Sequence, residues 1–147
     1  MVETPVRIAF MCVQNAGRSQ MATAFAERER TDRGLEETVE ILTGGTHPAD
    51  HVHEEVIAVM DELGIDLSDR QPQAITTAQL ESCDYVATMG CSTLDLDADA
   101  SDVEVDDWAL DDPDGQSLDR VREIREEIRE RVNNLFDDLE REVTGSV

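Results

Sequence analysis

Residues 12–19, which read CVQNAGRS, combine a nucleophilic thiol with groups that bind oxyanions. Cys12 follows a short apolar run, and Arg18 comes six residues later, where a helical pattern begins. The residues between them can wrap so that successive backbone N–H groups point inward, and such a loop at a helix N-terminus binds a tetrahedral oxyanion. Arg18 would contact two of the oxygens through its guanidinium fork, and the same positive field favours the thiolate form of Cys12. The segment therefore predicts an oxyanion site with a thiolate nucleophile, whose substrate-binding residues are Val13, Gln14, Asn15, Ala16, Gly17, Arg18 and Ser19.

Two side chains of this loop have more specific expected roles. Ser19 is placed to hydrogen-bond the thiolate and later to stabilise it as a leaving group, and Asn15 tolerates the left-handed backbone that would shape the loop. The alternative is a buried structural cysteine, followed by a helix that happens to begin with Arg-Ser, because this spacing also arises by chance. The position of the segment between a predicted strand and a predicted helix favours the functional interpretation.

The Asp111-Asp112-Pro113 segment lies between the last predicted strand and the last predicted helix. A cysteine that attacks a phosphate ester needs a general acid for the leaving oxygen, and an aspartate in an ordered loop can serve. Asp-Pro is also a common turn dipeptide, so the spacing alone favours an ordinary helix entry. We expect Trp108 to pack beneath this loop.

The two other cysteines, Cys83 and Cys91, flank one predicted strand. Cys91 follows it, at the same sheet edge as Cys12, and is either a redox partner of Cys12 or a structural residue. Cys83 precedes it, and about six strand residues at ~3.3 Å each place Cys83 ~20 Å away, at the opposite edge. We predict that Cys83 is a small core residue. Three cysteines at these spacings predict neither a disulfide scaffold nor a zinc site.

Three histidines, His47, His51 and His53, stand near the start of a predicted helix, beside Glu54 and Glu55. A metal site is conceivable there, but exposed histidines in an acidic segment explain the pattern as well. We therefore expect no bound metal.

The net charge of −23 is unusual for 147 residues, and none of the 12 strong cations is a lysine. Such a surface repels nucleic acids and anionic membranes, so neither is an expected partner. We interpret the charge as adaptation to high salt, where counterions screen self-repulsion; an acidic surface for a basic partner is the alternative.

No apolar run approaches the ~20 residues of a membrane span, and the N-terminus MVETPVRIAF is too short and too acidic for a secretory signal. We therefore expect a cytoplasmic protein.

The elements that must position these residues follow from the apolar pattern. Apolar runs predict strands over 6–11, 39–42, 85–89 and 103–105, and helical spacing predicts helices over 19–30, 50–63 and 78–81. In the last helix, apolar residues recur every three or four positions from Leu118 to Leu139. This alternation predicts an α/β fold with a parallel sheet covered on both faces, as one domain over residues 1–147 whose tail frays from about residue 142. Ligands of such sheets bind at the carboxyl ends of the strands, where Cys12 and Cys91 would lie.

The segments CVQNAGRSQMA, ILTGGTHPAD, GIDLSDRQPQAIT, DYVATMGC and DDWALDDPDGQ occur in this order. Together they resemble the low-molecular-weight tyrosine phosphatase superfamily, most closely its arsenate reductase branch, over about residues 6–132. The resemblance implies a four-stranded parallel sheet in the order 2-1-3-4, flanked by helices. It also implies that Cys12 is the nucleophile and Arg18 the oxyanion clamp. Asn15 and Ser19 would support the loop. Asp112 would be the general acid, with Asp111 as a fallback.

Arsenate reduction is the leading function that the resemblance implies. Cys12 would form a thiol–arsenate adduct, and a second thiol would attack Cys12 to release arsenite. No bound cofactor is implied, but an external thiol reductant is, either thioredoxin or a small intracellular thiol. Cys91 stands where thioredoxin-coupled members carry their second cysteine, whereas residues 92–97 lack the third. Either Cys91 alone forms a disulfide with Cys12, or a small thiol resolves the adduct.

The alternative function is that of a phosphatase, which hydrolyses aryl phosphates or phosphotyrosine through a cysteinyl-phosphate intermediate. Arsenate and phosphate are nearly isosteric, so one loop can serve either chemistry. Typical phosphatases of the family carry a second loop cysteine where this chain has Gly17, and a tyrosine after Asp-Pro where it has Asp114. Both differences weaken the phosphotyrosine hypothesis. A non-enzymatic anion-binding module is the third interpretation.

Overall fold

The computed structural model of the chain describes residues 6–12, 15–45, 47–89, 104–108, 110 and 115–144. Its strands are β1 (Val6–Cys12), β2 (Val39–Gly45), β3 (Tyr85–Thr88) and β4 (Glu104–Asp107). Its helices are α1 (Arg18–Asp32), α2 (Glu54–Asp61), α3 (Thr77–Glu81) and α4 (Leu118–Thr144). None of the helices in these described ranges is long and apolar enough to span a membrane.

The four strands form one parallel sheet in the order β2-β1-β3-β4. This arrangement confirms the α/β class and the strand order that the resemblance implies. β1 is central, and its last five residues are buried, as expected of an apolar strand that pairs on both sides. Cys12 pairs with Gly45, and Met11 pairs with Thr88. The carboxyl ends of three strands therefore meet at the sheet edge where Cys12 lies.

Both faces of the sheet are covered. Ile8, Phe10 and Cys12 of β1 point into the main core, which also contains residues of α1, α2 and α4. The alternate residues Ala9 and Met11 point into a smaller core with Leu80, at the end of α3. The two-residue period of the strand thus directs the Cys12 side chain to the α1 side of the sheet.

Several element bounds differ from the sequence prediction. β2 continues to Gly45 instead of stopping at Leu42, because residues 43–45 pair in register with the last three residues of β1. α2 begins only at Glu54, since His53 is still extended (φ −60°, ψ 138°) and caps the helix. β4 continues to Asp107 instead of stopping at Val105, and α4 continues to Thr144, so the tail expected to fray is helical over its first residues.

The apolar stripe of α4 is buried as predicted, with two differences. Leu118 is 44% exposed, because it is the first residue of the helix and lies outside the packed region. Phe136 is fully buried in the main core, whereas its neighbour Leu135 is only partly buried. α1 is buried on all sides from Ser19 to Ala26, since it packs against β1, β2 and α4 together.

Trp108 is buried directly after β4, as expected of a packing residue. Its ring is tilted against that of Phe10, with 5.8 Å between the centroids, and its Nε1 donates to Tyr85 Oη at 3.1 Å. Burial raises the pKa of Tyr85, which is therefore a neutral hydrogen-bonding group in this core. The aspartate loop that Trp108 was expected to support lies outside the described residues.

Candidate active site

Cys12 is the last residue of β1, and only 3% of it is exposed to solvent. Its Sγ accepts the backbone N–H of Asn15 at 3.1 Å and lies 2.9 Å from Ser19 Oγ. Both partners belong to the predicted oxyanion loop. The structure therefore brings together the thiol and the two supporting residues that the sequence singled out.

Asn15 is the centre of the hydrogen-bond network behind the loop. It is fully buried and has the left-handed backbone conformation (φ 51°) that the sequence predicts. Its side-chain nitrogen donates to Ser19 Oγ at 2.7 Å and to Thr43 Oγ1 at 2.9 Å. Its side-chain oxygen accepts from Gln20 Nε2 and from the backbone N–H of Gln73, each at 3.0 Å. These four contacts hold the Asn15 amide in one orientation.

The hydroxyl of Thr43 shows which groups donate and which accept around the Asn15 amide. Thr43 Oγ1 donates to the backbone oxygen of Phe10 at 3.1 Å, so it accepts from Asn15. Ser19 Oγ also accepts from Asn15, which leaves its own proton to point at Cys12 Sγ. The sulfur thus receives two donors, the Asn15 N–H and the Ser19 O–H, and such donors stabilise a thiolate.

α1 starts directly behind the loop, at Arg18, and its first helical bond runs from Met21 N–H to Gly17 O at 3.0 Å. The positive end of the helix dipole therefore lies beside the sulfur and the loop. Arg18 Nη1 donates to the backbone oxygen of Leu110 at 2.8 Å. This bond connects the expected oxyanion clamp to the residue that directly precedes Asp111.

The segment of residues 73–75 closes the site from the side of β2. The N–H of Gly45 donates to the backbone oxygen of Gln73 at 2.9 Å. A Cβ on Gly44 would lie only 2.4 Å from Ile75 Cβ, so the close approach of this segment requires glycine there. The approach in turn brings the Gln73 N–H within reach of Asn15.

Sequence reasoning missed three members of the network, namely Gln20, Thr43 and Gln73. Thr43 had a usable signal, because it precedes two glycines at the carboxyl end of a predicted strand, where ligand sites assemble. Gln73 contributes a backbone N–H, which no side-chain pattern reveals. Gln20 follows Arg-Ser near the start of a predicted helix, where glutamine is an ordinary helical residue.

The remaining loop residues are placed as follows. Gly17 caps the N-terminus of α1, and the backbone oxygen of Ala16 accepts the N–H of His53 at 2.9 Å. The start of α2 therefore lies against the loop. The other predicted site residues lie outside the described residues, namely Val13, Gln14, Cys91, Asp111 and Asp112.

Cys83 lies at the opposite edge of the sheet from Cys12, because the adjoining Asp84 N–H bonds to the oxygen of Arg7 near the start of β1. It is buried in the smaller core, as predicted, and its Sγ donates to the backbone oxygen of Gln79 at 3.3 Å. Burial raises the pKa of the Cys83 thiol, which makes it a poor nucleophile. Within the described ranges, no three His, Cys, Asp or Glu residues are grouped so that they could hold a metal ion.

Comparisons with known proteins agree with this geometry. The model of the low molecular weight phosphotyrosine protein phosphatase family matches residues 7–145. A Halobacterium salinarum protein provisionally named as an arsenate reductase is 66% identical over 137 residues, which are 93% of this chain and 95% of that protein. A glutaredoxin arsenate reductase of Synechocystis is 34% identical over 132 residues, or 88% of this chain and 95% of its own length. The solved structure of an arsenate reductase in the phosphate binding state is 32% identical, with a TM-score of 0.76, and the match covers 90% of this chain and 98% of that one. The chain belongs to the low molecular weight phosphotyrosine protein phosphatase family.

Proposed function

We propose that this chain is an arsenate reductase, which binds arsenate in the loop of residues 12–19 and reduces it through the thiolate of Cys12. The observation that carries the proposal is the pair of donors on Cys12 Sγ, Asn15 N–H at 3.1 Å and Ser19 Oγ at 2.9 Å. They hold a thiol beside the N-terminus of α1, where an oxyanion also binds. The relatives favour arsenate over a phosphate ester, since one of them is named for arsenate reduction and is 34% identical over most of the chain.

In the proposed binding step, backbone N–H groups of the loop and the guanidinium of Arg18 hold the arsenate oxygens. The bond from Arg18 Nη1 to Leu110 O supports this role, because it holds the planar guanidinium in one orientation. Leu110 directly precedes Asp111 in the sequence, which supports a role for this segment beside the clamp. We assign Asp112, with Asp111 as the fallback, as the acid that protonates a departing oxygen.

In the proposed chemical steps, Cys12 Sγ attacks the As(V) atom and forms an S–As bond, while one arsenate oxygen leaves as water after protonation. A second thiolate then attacks Cys12 Sγ and forms a disulfide with it. The electron pair of the S–As bond passes to arsenic, which leaves as As(III) in arsenite. Two thiols have together lost the two electrons that arsenic has gained. An external thiol reductant returns the disulfide to two thiols.

We assign Cys91 as the second thiol, with a small intracellular thiol as the alternative. The argument for Cys91 is its place in the sequence, three residues after the end of β3, the strand that pairs with β1 on the side away from β2. Cys83 is unsuited to the role, because it lies at the opposite end of that strand and is packed in a separate core.

A phosphatase is the second candidate function, and one observation favours it. The matched family is named for phosphotyrosine hydrolysis, and the same loop would hold a phosphate ester as it holds arsenate. In that reaction Cys12 would form a cysteinyl-phosphate, and Asp112 would protonate the leaving oxygen. No cysteine would be oxidised.

The thiol count after exposure to arsenate separates the two candidates. We expect arsenate, without added reductant, to remove two thiols per chain and to produce a Cys12–Cys91 disulfide in a peptide map. The Cys12→Ser variant should lose no thiols, Cys91→Ser should form no intramolecular disulfide, and the matched control Cys83→Ser should behave as the unmodified chain. The exposure is repeated with a small thiol present, because a small thiol is the alternative to Cys91 and would form a mixed disulfide with Cys12. Three cysteines that stay reduced without the small thiol, no arsenate-dependent oxidation of the small thiol when it is present, and rapid hydrolysis of p-nitrophenyl phosphate would together refute the reductase and support the phosphatase. Phosphate binding without either turnover would instead support an anion-binding module.

We further propose a thioredoxin-like protein or a small thiol as the reductant, and the cytoplasm of a salt-adapted cell as the location. A reaction that depends on reduced cysteines needs a reducing compartment. The net charge of −23 and the 66% identity to a Halobacterium protein support adaptation to high salt. Arsenate turnover should be compared with thioredoxin and with small thiols in molar salt. A melting temperature that is the same in molar and millimolar salt would contradict the adaptation.

A further inference from the structure

Gln20 is a buried polar residue in the first turn of α1 for which the proposed mechanism has no role. It is only 2% exposed. Its Nε2 donates to both the backbone oxygen and the side-chain oxygen of Asn15, each at 3.0 Å. Its Oε1 has no hydrogen-bond partner among the described residues, although leaving a buried amide oxygen unpaired is unfavourable. The amide is held with its nitrogen toward Asn15 even though its own oxygen is left unsatisfied.

The orientation of this amide is fixed by its surroundings. If the Gln20 amide turned over, Oε1 would face two other acceptors, the O and the Oδ1 of Asn15, and would repel both. The Asn15 amide is fixed for the matching reason. If it turned over, its nitrogen would face the donors of Gln20 and Gln73.

We propose that Gln20 is a positioning residue, which fixes the side-chain amide of Asn15 and thereby directs the hydroxyl proton of Ser19 onto Cys12 Sγ. The connection has three steps. Gln20 holds Asn15 Oδ1 at 3.0 Å, Asn15 Nδ2 donates to Ser19 Oγ at 2.7 Å, and Ser19 Oγ lies 2.9 Å from the sulfur.

The consequence of losing this control is a weaker thiolate. With the Asn15 amide turned over, its Oδ1 would face Ser19 Oγ and compete with Cys12 Sγ for the hydroxyl proton. The sulfur would keep the Asn15 N–H and lose the Ser19 O–H. Gln20 therefore acts on the nucleophile through two other side chains, and this inference rests on the proposed nucleophilic role of Cys12.

Two variants test the proposal in the full chain. Gln20→Met has a similar length and no charge but removes the donor, and Gln20→Glu keeps the shape but presents only acceptors to Asn15. The readout is the rate of Cys12 alkylation by iodoacetamide as a function of pH, followed on the Cys12 peptide by mass spectrometry. We expect the midpoint of thiolate formation to move to higher pH by about one unit in Gln20→Glu, the scale of one lost hydrogen bond to a charged group. The shift should be smaller in Gln20→Met, because the Gln73 N–H still holds Asn15 Oδ1.

Gln71→Glu is the matched control for charge. Gln71 is exposed and lines the same cavity of about 480 Å³ as Gln20, but its side chain is not part of the Asn15 network. This variant should leave the alkylation midpoint unchanged. If it moves the midpoint as far as Gln20→Glu does, the effect is one of charge and the proposal is wrong.

A double variant tests the route through Ser19. In a Ser19→Ala background, Gln20→Met should produce no further shift, because the proton that Gln20 directs is absent. A shift that persists undiminished there would overturn the proposal, and so would an unchanged midpoint in a folded Gln20→Met variant. If Gln20→Glu does not fold, the Gln20→Met pair with and without Ser19→Ala still decides the question. Alkylation needs no arsenate, so a negative result here leaves the reductase proposal intact. Conversely, an absence of arsenate-dependent thiol oxidation, both without and with an added small thiol, would refute the reductase and leave this inference standing.

Discussion

Replacing Gly44 by alanine tests whether the close approach of residues 73–75 to β2 maintains the candidate site. The added Cβ would lie 2.4 Å from Ile75 Cβ and 2.9 Å from the Ile75 backbone nitrogen. An ordinary contact begins at about 3.4 Å, so the segment around Ile75 must move by about 1 Å. Gln73 lies two residues before Ile75 in the same segment, so we expect the displacement to weaken or break the 3.0 Å bond from Gln73 N to Asn15 Oδ1. The variant should therefore disturb the loop from behind.

The expected magnitude combines overpacking with lost hydrogen bonds. Overpacking of a close contact costs about 1–3 kcal/mol, and each lost hydrogen bond about 1 kcal/mol. We expect the free energy of unfolding to fall by about 2–4 kcal/mol, which lowers the melting temperature by about 5–15 °C for a chain of this size. Gly64→Ala is the matched control, because Gly64 has a positive φ of 76° but open space around it. It should cost about 1–2 kcal/mol of backbone strain with no displacement near the loop.

The assay is the phosphate dissociation constant of the reduced protein, measured by calorimetry beside the melting temperature. We expect Gly44→Ala to weaken phosphate binding and to slow alkylation of Cys12, whereas Gly64→Ala should lower the melting temperature alone. The reasoning would be refuted by a Gly44→Ala protein that melts at a lower temperature yet binds phosphate as tightly as the unmodified chain. That result would mean that the Gln73 contact does not support the loop.

Three other perturbations have clear expected outcomes. Arg18→Lys should raise the phosphate dissociation constant about tenfold or more, because an ammonium cannot replace the planar fork, and equal affinity in calorimetry would exclude Arg18 as the clamp. Hydrogen bonds from Arg122 and Arg125 lower the pKa of Glu62 from 4.5 to about 2. The contribution of Glu62 to the free energy of unfolding is therefore fully present above an unfolded-state pKa of about 4.5 and is lost as the pH falls toward 2. The gap in melting temperature between the unmodified chain and Glu62→Gln should therefore stay constant near neutral pH and close below about pH 4.5; a gap that does not narrow contradicts this sign. Burial raises the pKa of Cys83, so its alkylation should lag far behind that of the loop cysteine in the folded protein and match it in denaturant.

The parts of the fold that the sequence predicted are those with a regular local pattern. The apolar run before Cys12 predicted the central strand, because a strand buried on both faces needs apolar residues at successive positions. The stripe from Val121 to Leu139 predicted α4 for the corresponding helical reason. The spacing of Cys12 and Arg18 predicted the loop, since both lie within one strand-to-helix turn.

The parts that could not be predicted depend on contacts between distant segments. Asn15 bonds to Thr43 and Gln73, which are 28 and 58 residues away along the chain, and no local pattern links them. The length of β2 was underestimated for a related reason. The apolar run ends at Leu42, yet the register with β1 continues through Gly44, whose missing side chain allows the approach of Ile75.

The burial of Cys12 constrains how the proposed disulfide is reduced. The residue is 3% exposed and has donors from Asn15 and Ser19 around its sulfur. A reducing thiol must reach bonding distance of the sulfur it attacks, which a protein-sized reductant cannot do at Cys12 while the loop keeps this form. A second cysteine of the chain removes the obstacle, because the reductant then attacks that cysteine instead, and this is the physical reason to look for one at Cys91. A small thiol removes it differently, by following arsenate into the loop. A preference for a protein reductant therefore indicates that Cys91 forms the disulfide with Cys12, and a preference for a small thiol indicates that it does not. The loop itself is compatible with both routes.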